Sequence, residues 1–165
     1  MATNITDSTV EIVQNLTRSA FNTNATLDRC KTILNTSLAF PITGNLVHML
    51  AHKYSLEIGD RVGDLIEAYN EPVNYGDIPK HIEDYLSVQD VMDKVFEVVI
   101  AYQNELNDSV RAIYENTDIH VFEELMKIIS MHNKYVEQVI QWKDIVDRYG
   151  NNPSLDVHMK DYVIE

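Results

Sequence analysis

Residues 95–142 read VFEVVIAYQNELNDSVRAIYENTDIHVFEELMKIISMHNKYVEQVIQW, and the spacing of their apolar residues is the clearest indication of the fold. Apolar side chains recur along it at alternating steps of three and four residues, which places them on one face of an α-helix. The pattern breaks at Asn116, Thr117 and Asp118 and resumes at once. Because so short a link joins antiparallel neighbours, the stretch predicts two long helices packed side by side. We number them the third helix, over residues 88–115, and the fourth, ending near residue 149.

The same spacing of apolar residues runs through the N-terminal half of the chain. It predicts a first helix that starts near Asp7 or Ser8, whose side-chain oxygen can cap it, and that ends near Phe40-Pro41. Residues 41–44 are then expected to form a turn. A second helix is expected over residues 45–69.

The segment between the second and third helices, residues 70–87, reads NEPVNYGDIPKHIEDYLS and breaks the helical spacing. Proline interrupts helices, so we expect an irregular connection with one short helix over residues 80–86. A connection of this length can cross the full height of a bundle, which lets the second and third helices run parallel. The sequence therefore predicts an all-α fold, an antiparallel four-helix bundle with a long crossover, over residues 1–150. Residues 151–165 are expected to form an acidic C-terminal tail or a short docking helix.

Charge and composition exclude several classes of function. The formal net charge of −13 repels nucleic acids and anionic lipids and attracts metal cations. The first 17 residues contain no Lys or Arg, so we expect neither direct DNA binding nor membrane association. No secretion signal and no apolar run of membrane length are recognisable, which favours a cytoplasmic protein. The single cysteine excludes an internal disulfide, and no phosphate-binding loop or catalytic-triad motif occurs.

Two stretches resemble proteins of the ferritin-like superfamily. Residues 95–142 resemble the second half of ferritins, where a glutamate-bearing helix, a tight Asp-containing turn and a final helix rich in acceptor groups follow in that order. Residues 44–73, GNLVHMLAHKYSLEIGDRVGDLIEAYNEPV, resemble the second helix of the Dps family, ferritin relatives named for DNA protection during starvation. Both likenesses imply the ferritin-like bundle, a homo-oligomer and iron chemistry.

The ferritin resemblance implies metal ligands inside the bundle. The positions of its pattern fall on Asp28, Glu57, Asp60, Glu105, His132 and Tyr135. Asp60 stands where ferritins have the histidine of a Glu-x-x-His pair. At about 100° per residue, only His132 lies at the centre of an apolar face. A second interpretation therefore stays open, in which His132 is a core histidine hydrogen-bonded to Tyr102 or another neighbour.

The Dps resemblance implies a site between two subunits instead, with histidines from one and an Asp-x-x-x-Glu pair from the other. Asp60 and Asp64 match the acidic part as Asp-x-x-x-Asp, and their i,i+4 spacing puts both carboxylates on one helix face. His48 and His52, also four residues apart, would supply nitrogen ligands on a different face that a partner subunit completes. The alternative is a solvated acidic face beside two exposed imidazoles.

Two functions follow as hypotheses. In the first, a ferritin/Dps-like protein binds Fe(II) through Asp60, Asp64 and Glu57 with His48 or His52. Peroxide or dioxygen then oxidises the iron, and a homo-oligomeric shell stores it, which limits oxidative stress. In the second, the chain is a degenerate ferritin-like scaffold without a functional metal site and acts by assembly or partner binding. The incomplete Glu-x-x-His pair and the absence of a histidine from the first helix favour the second hypothesis.

Overall fold

The computed structural model describes residues 5–80 and 84–164. The regular structure in these residues is helical, and no strand occurs among them. The helices are α1 (Asp7–Asn35), α2 (Pro41–His52), a π-helix (Lys53–Gly59), α3 (Asp60–Glu67), α4 (Val88–Glu115), α5 (Ile119–Tyr149) and α6 (Ser154–Met159). Because α2, the π-helix and α3 follow one another without a break, we refer to residues 41–67 as the second rod.

The long helices pack as a bundle around one apolar core. α1 packs against the second rod and against α4, and α4 packs against α5. Asn116, at the end of α4, donates its side-chain amide to Ser8 Oγ at the start of α1 over 3.2 Å. α1 and α4 are therefore antiparallel. The predicted all-α four-helix bundle is confirmed.

The helix boundaries in the N-terminal half differ from the predicted ones. The cap of α1 is Thr6, whose hydroxyl accepts the Thr9 amide at 3.2 Å, and not Asp7 or Ser8. α1 ends at Asn35, and Ala39 in the following loop has a positive φ of 60°. The predicted turn over residues 41–44 is wrong, because these residues form the first turn of α2. Pro41 fits there because the first helical position needs no backbone N–H donor.

The connection between α3 and α4 runs along the outside of α1. Gln14 hydrogen-bonds to the Pro72 carbonyl at 2.6 Å and to the Asn74 amide at 2.8 Å. About four helical turns further along α1, Arg29 forms an ion pair with Asp84 at 3.3 Å. This is the predicted long crossover. Of the short helix predicted over residues 80–86, residues 81–83 lie outside the described part, and the positions on either side are not helical.

The π-helix in the middle of the second rod sets which of its side chains face the core. Tyr54, Ile58 and Val62 are all buried although they are four residues apart. In an α-helix such positions drift around the axis, whereas the wider i→i+5 turn keeps them in line. Gly59 closes this segment against α1, since a Cβ atom there would lie 2.8 Å from Phe21 Cε2.

The C-terminal residues lie against the bundle. α6 packs on α2 and α5, and its side chains Leu155 and Met159 are buried. Asp156 accepts hydrogen bonds from the backbone amides of Ile42 and Thr43 at the start of α2, at 2.9 and 2.7 Å. The division into residues 1–150 and 151–165 stays a prediction. Among residues 5–80 and 84–164, no helix combines the length and apolar character needed to cross a membrane.

Candidate functional site

Four aromatic side chains fill the centre of the bundle. Tyr54 comes from the π-helix, Tyr102 from α4, and His132 and Tyr135 from α5. All four are at most 2% exposed. The Tyr54 ring meets Tyr102 edge to face at a centroid distance of 5.5 Å, and it meets His132 in the same way at 5.4 Å. Such pairs add to the stabilisation from burial.

His132 is hydrogen-bonded through both ring nitrogens. Nδ1 lies 2.6 Å from Gln103 Oε1, which only accepts, so Nδ1 carries the proton. Nε2 then accepts the hydroxyl of Tyr54 at 2.5 Å. Burial lowers the pKa of His132 to about 3 and raises the pKa of Tyr54 well above its usual value. Both groups are therefore neutral near pH 7. In the core-histidine interpretation the partner of His132 is Tyr102 or another neighbour, and the structure shows that this partner is Tyr54.

Glu57 lies at the edge of this aromatic centre and is held by two neighbours. Lys53 Nζ lies 2.7 Å from one carboxylate oxygen, and the Tyr135 hydroxyl donates to the other at 2.5 Å. Burial raises the pKa of Glu57, but the hydrogen bonds from Lys53 and Tyr135 outweigh it and keep the pKa below its usual value. Glu57 is thus an ionised group whose charge Lys53 already compensates.

Two further carboxylates of the ferritin pattern also have partners of their own. Glu105 accepts the Ser19 hydroxyl at 2.9 Å, beside a cavity of about 190 Å³ between α1 and α4. Burial raises the pKa of Glu105, partly offset by that hydrogen bond. Asp28 lies 2.9 Å from His48 Nδ1. In the described residues, no three His, Cys, Asp or Glu side chains are placed to share a metal ion. The residues at the bundle centre therefore do not fit a carboxylate-bridged metal pair.

The residues of the Dps pattern lie on the outside of the second rod. Asp60 and Asp64 are both exposed on α3, one turn apart. His48 and His52 lie on α2 with their Nε2 atoms 3.1 Å apart. Since His52 and Asp60 are eight residues apart, the two pairs are separated by roughly 12 Å along the rod. One chain does not bring them together, and their role as iron ligands stays a prediction.

Sequence reasoning missed the polar partners that organise the bundle centre. Gln103 and Ser19 carry no motif, because each acts through a contact with another helix. Lys53 lies four residues before Glu57 on the same rod, a spacing at which the sequence alone allows an ion pair. Tyr54 gave one usable signal. Its steps of four to Ile58 and Val62 depart from the alternating spacing of an α-helix and indicate an inserted residue.

Comparisons with known proteins identify the fold. No family model and no curated protein matches the chain. An open-pore ferritin from the hyperthermophilic archaeon Archaeoglobus fulgidus superposes with a TM-score of 0.87 at 10% identity, covering 96% of this chain and 98% of that one. A second structure of an open-pore ferritin from A. fulgidus gives 0.88 at 9% identity, with 98% and 100% covered. A ferritin from M. penetrans gives 0.83 at 9% identity, with 96% and 94% covered. Over nearly its whole length, this chain has the ferritin-like fold.

Proposed function

We propose that this protein is a self-assembling scaffold on the ferritin-like fold, without an iron-oxidising centre inside its bundle. The observation that carries the proposal is the closed hydrogen-bond network at the bundle centre, where Gln103, His132 and Tyr54 satisfy one another. The inward imidazole has no free nitrogen to offer a metal ion. This is the degenerate-scaffold alternative of the two hypotheses.

The energetics of opening this network support the proposal. A metal ion at the centre would have to displace the Tyr54 hydroxyl from His132, at a cost of about 1–3 kcal/mol for a buried unpaired polar group. It would also have to separate Glu57 from Lys53 and Tyr135. Asp28 and Glu105 are held elsewhere by His48 and Ser19, so they would not repay these losses.

Exposed apolar side chains support the assembly part of the proposal. Leu56 on the second rod is 64% exposed, Ile140 on α5 49% and Val157 on α6 57%. Burying such side chains between copies would be favourable, and a homo-oligomer repeats one interface on every copy. We propose that copies of this chain cover these residues in a cytoplasmic homo-oligomer.

Two measurements on the purified chain test the proposal. Light scattering after size exclusion should give a particle several times larger than the 19.0 kDa chain. Stopped-flow oxidation of added Fe(II) should be as fast in Tyr54→Phe and His132→Gln as in the unchanged protein. A monomer would refute the assembly, and oxidation that slows at least tenfold in either variant would refute the absence of an internal centre.

A second candidate function is Fe(II) oxidation and storage of the ferritin/Dps kind, with iron as the substrate at a subunit interface. The observation that favours it is the pair of exposed carboxylates, Asp60 and Asp64, one turn apart on one face. Carboxylates suit iron, and His48 and His52 of another copy would add imidazole. Asp60→Asn with Asp64→Asn should then abolish oxidation by peroxide. Asp108→Asn, an exposed change on α4, is the matched control.

A further inference from the structure

We propose that His48 and His52 form a binding site for a divalent late transition-metal ion, Cu²⁺ or Zn²⁺, built on one face of a single helix. This goes beyond the scaffold function and does not rest on it, because the site needs neither iron nor a second copy of the chain. Both residues lie in α2, four positions apart, one turn along the same face. Two histidines at this spacing on one helix face can bind a zinc ion together.

The distance between the two imidazoles fits one shared ion. The Nε2 atoms are 3.1 Å apart and the ring centroids 4.4 Å apart. Metal–nitrogen bonds to histidine are about 2.0–2.1 Å long, so two nitrogens on one ion at an angle of 90–110° lie about 2.9–3.4 Å apart. The pair thus already has the separation that bidentate binding requires.

Asp28 orients His48 for this role. Its carboxylate oxygen lies 2.9 Å from His48 Nδ1 and can only accept, so Nδ1 carries the proton and Nε2 presents its lone pair. A carboxylate behind a metal-binding histidine fixes the tautomer and raises the basicity of the ligand. In the metal-free pair, His52 Nε2–H donates to His48 Nε2. Metal binding replaces that hydrogen bond when the proton of His52 moves to its other nitrogen.

The site is open to solvent on one side. His48 keeps 34% of its side chain exposed, and His52 is exposed. His52 also borders an open cavity of about 270 Å³ next to Met49, Leu56 and Ile164. Lys53, which follows His52 in sequence, is already paired with Glu57 at 2.7 Å. The chain's net charge of −13 raises the local concentration of cations.

The chemistry of the ligands sets the order of affinity. Imidazole suits Cu²⁺ and Zn²⁺, and the affinity of a given site for divalent ions rises from Fe²⁺ to Cu²⁺ and falls again at Zn²⁺. We therefore expect Cu²⁺ to bind more tightly than Zn²⁺, and Fe²⁺ to bind more weakly than Cu²⁺. The exposed pair Asp60 and Asp64 offers only oxygen and would favour harder ions.

The test is a titration of the full chain with Cu²⁺ alone, after a chelator has removed bound metal. Calorimetry measures the binding, and electron paramagnetic resonance identifies the ligands. We expect one tight equivalent per chain, with hyperfine splitting from two imidazole nitrogens. His48→Gln with His52→Gln should lose that equivalent. Asp28→Asn should keep it but weaken it 10–100-fold, the usual effect of removing such a partner.

The matched control removes two other histidines, His120→Gln with His158→Gln, and should bind Cu²⁺ as the unchanged chain does. Circular dichroism of each variant checks that the fold persists, which is expected because the changed side chains reach the surface. Three results would overturn the proposal. They are equal Cu²⁺ affinity in the His48/His52 double variant, a spectrum with fewer than two nitrogen ligands, and a stoichiometry of one ion per two chains.

Discussion

The buried imidazole of His132 makes the stability of the protein depend on pH. Its pKa is about 3 in the folded chain and near 6.5 in the unfolded chain, so the unfolded state takes up a proton first as the pH falls. The contribution of the neutral His132 to the free energy of unfolding is complete above pH 6.5 and is lost as the pH falls toward 3. At 1.36 kcal/mol per pH unit, the loss at pH 5 is on the order of 2 kcal/mol.

Urea unfolding at pH 7.5 and pH 5.0 measures this loss. His132→Gln should be less stable than the unchanged chain at pH 7.5, because it disturbs the contacts to Tyr54 and Gln103, but its stability should fall less on acidification. His120→Gln, which removes an exposed imidazole from the same helix, is the control for losing a histidine. Equal acid losses in His132→Gln and the unchanged chain would contradict the assignment of this pH dependence to His132.

Among the helices, the π-helix depends on a glycine. A Cβ atom at Gly59 would lie 2.8 Å from the Phe21 ring and 3.0 Å from the Tyr54 carbonyl oxygen, whereas at Gly63 its nearest neighbours are at 3.6 Å. Gly59→Ala should therefore destabilise the chain by about 1–3 kcal/mol through overpacking. Gly63→Ala should be neutral or stabilise by up to roughly 1 kcal/mol, because alanine favours helix. The denaturant midpoints of the two alanine variants measure this difference in stability. A Gly59→Ala variant as stable as the Gly63→Ala variant would argue against close packing at the π-helix.

The start of α2 depends on a carboxylate from the other end of the chain. Phe40, the residue before α2, offers no capping side chain. Asp156 instead accepts hydrogen bonds from the backbone amides of Ile42 and Thr43. A negative charge there also favours the positive end of the helix dipole. We expect Asp156→Ala to cost about 2 kcal/mol of unfolding free energy. Asp161→Ala, an exposed change in the same tail, is the control in thermal unfolding, and equal melting temperatures would contradict the capping role.

The elements differ in how far the sequence predicts them. The sequence predicts α4 and α5 closely, because their apolar stripes and the polar link between them are local properties of the chain. It does not predict the start of α2, since the cap comes from a residue 114 positions away in sequence and proline, which favours a turn, opens a helix here. The candidate site was least predictable. Whether Glu57 meets a metal ion or Tyr135 depends on the local rotation of the second rod, which the π-helix changes.

The fold of this protein and its candidate metal chemistry depend on different features of the sequence. The ferritin-like arrangement needs only four apolar stripes and a crossover, so it persists at about 10% identity to the ferritin of A. fulgidus. A metal centre needs several side chains within bonding distance of one point, and single substitutions remove it. Tyr54 and Tyr135, with neutral His132, give a centre that is packed and internally hydrogen-bonded. The fold is therefore compatible with either proposed function, and the residues decide between them.

The net charge of the protein predicts that it does not bind DNA directly. Binding to phosphates requires free Lys or Arg side chains that release counterions. The chain has 13 Lys and Arg residues in all, against 26 Asp and Glu residues. Several already pair with carboxylates of the same chain, among them Arg29, Lys53, Lys94, Lys127, Lys143 and Arg148.

A mobility-shift assay with linear duplex DNA at about 20 mM salt is the most favourable condition for such binding, because screening is weakest there. We expect no retarded band at micromolar protein, next to a basic protein of similar size as the positive control. Assembly would strengthen the effect, since each added copy brings a further formal charge of −13. A band that forms at low salt and disappears as salt rises would mean that the remaining cations gather on one face. That result would contradict the prediction that the protein does not bind DNA directly.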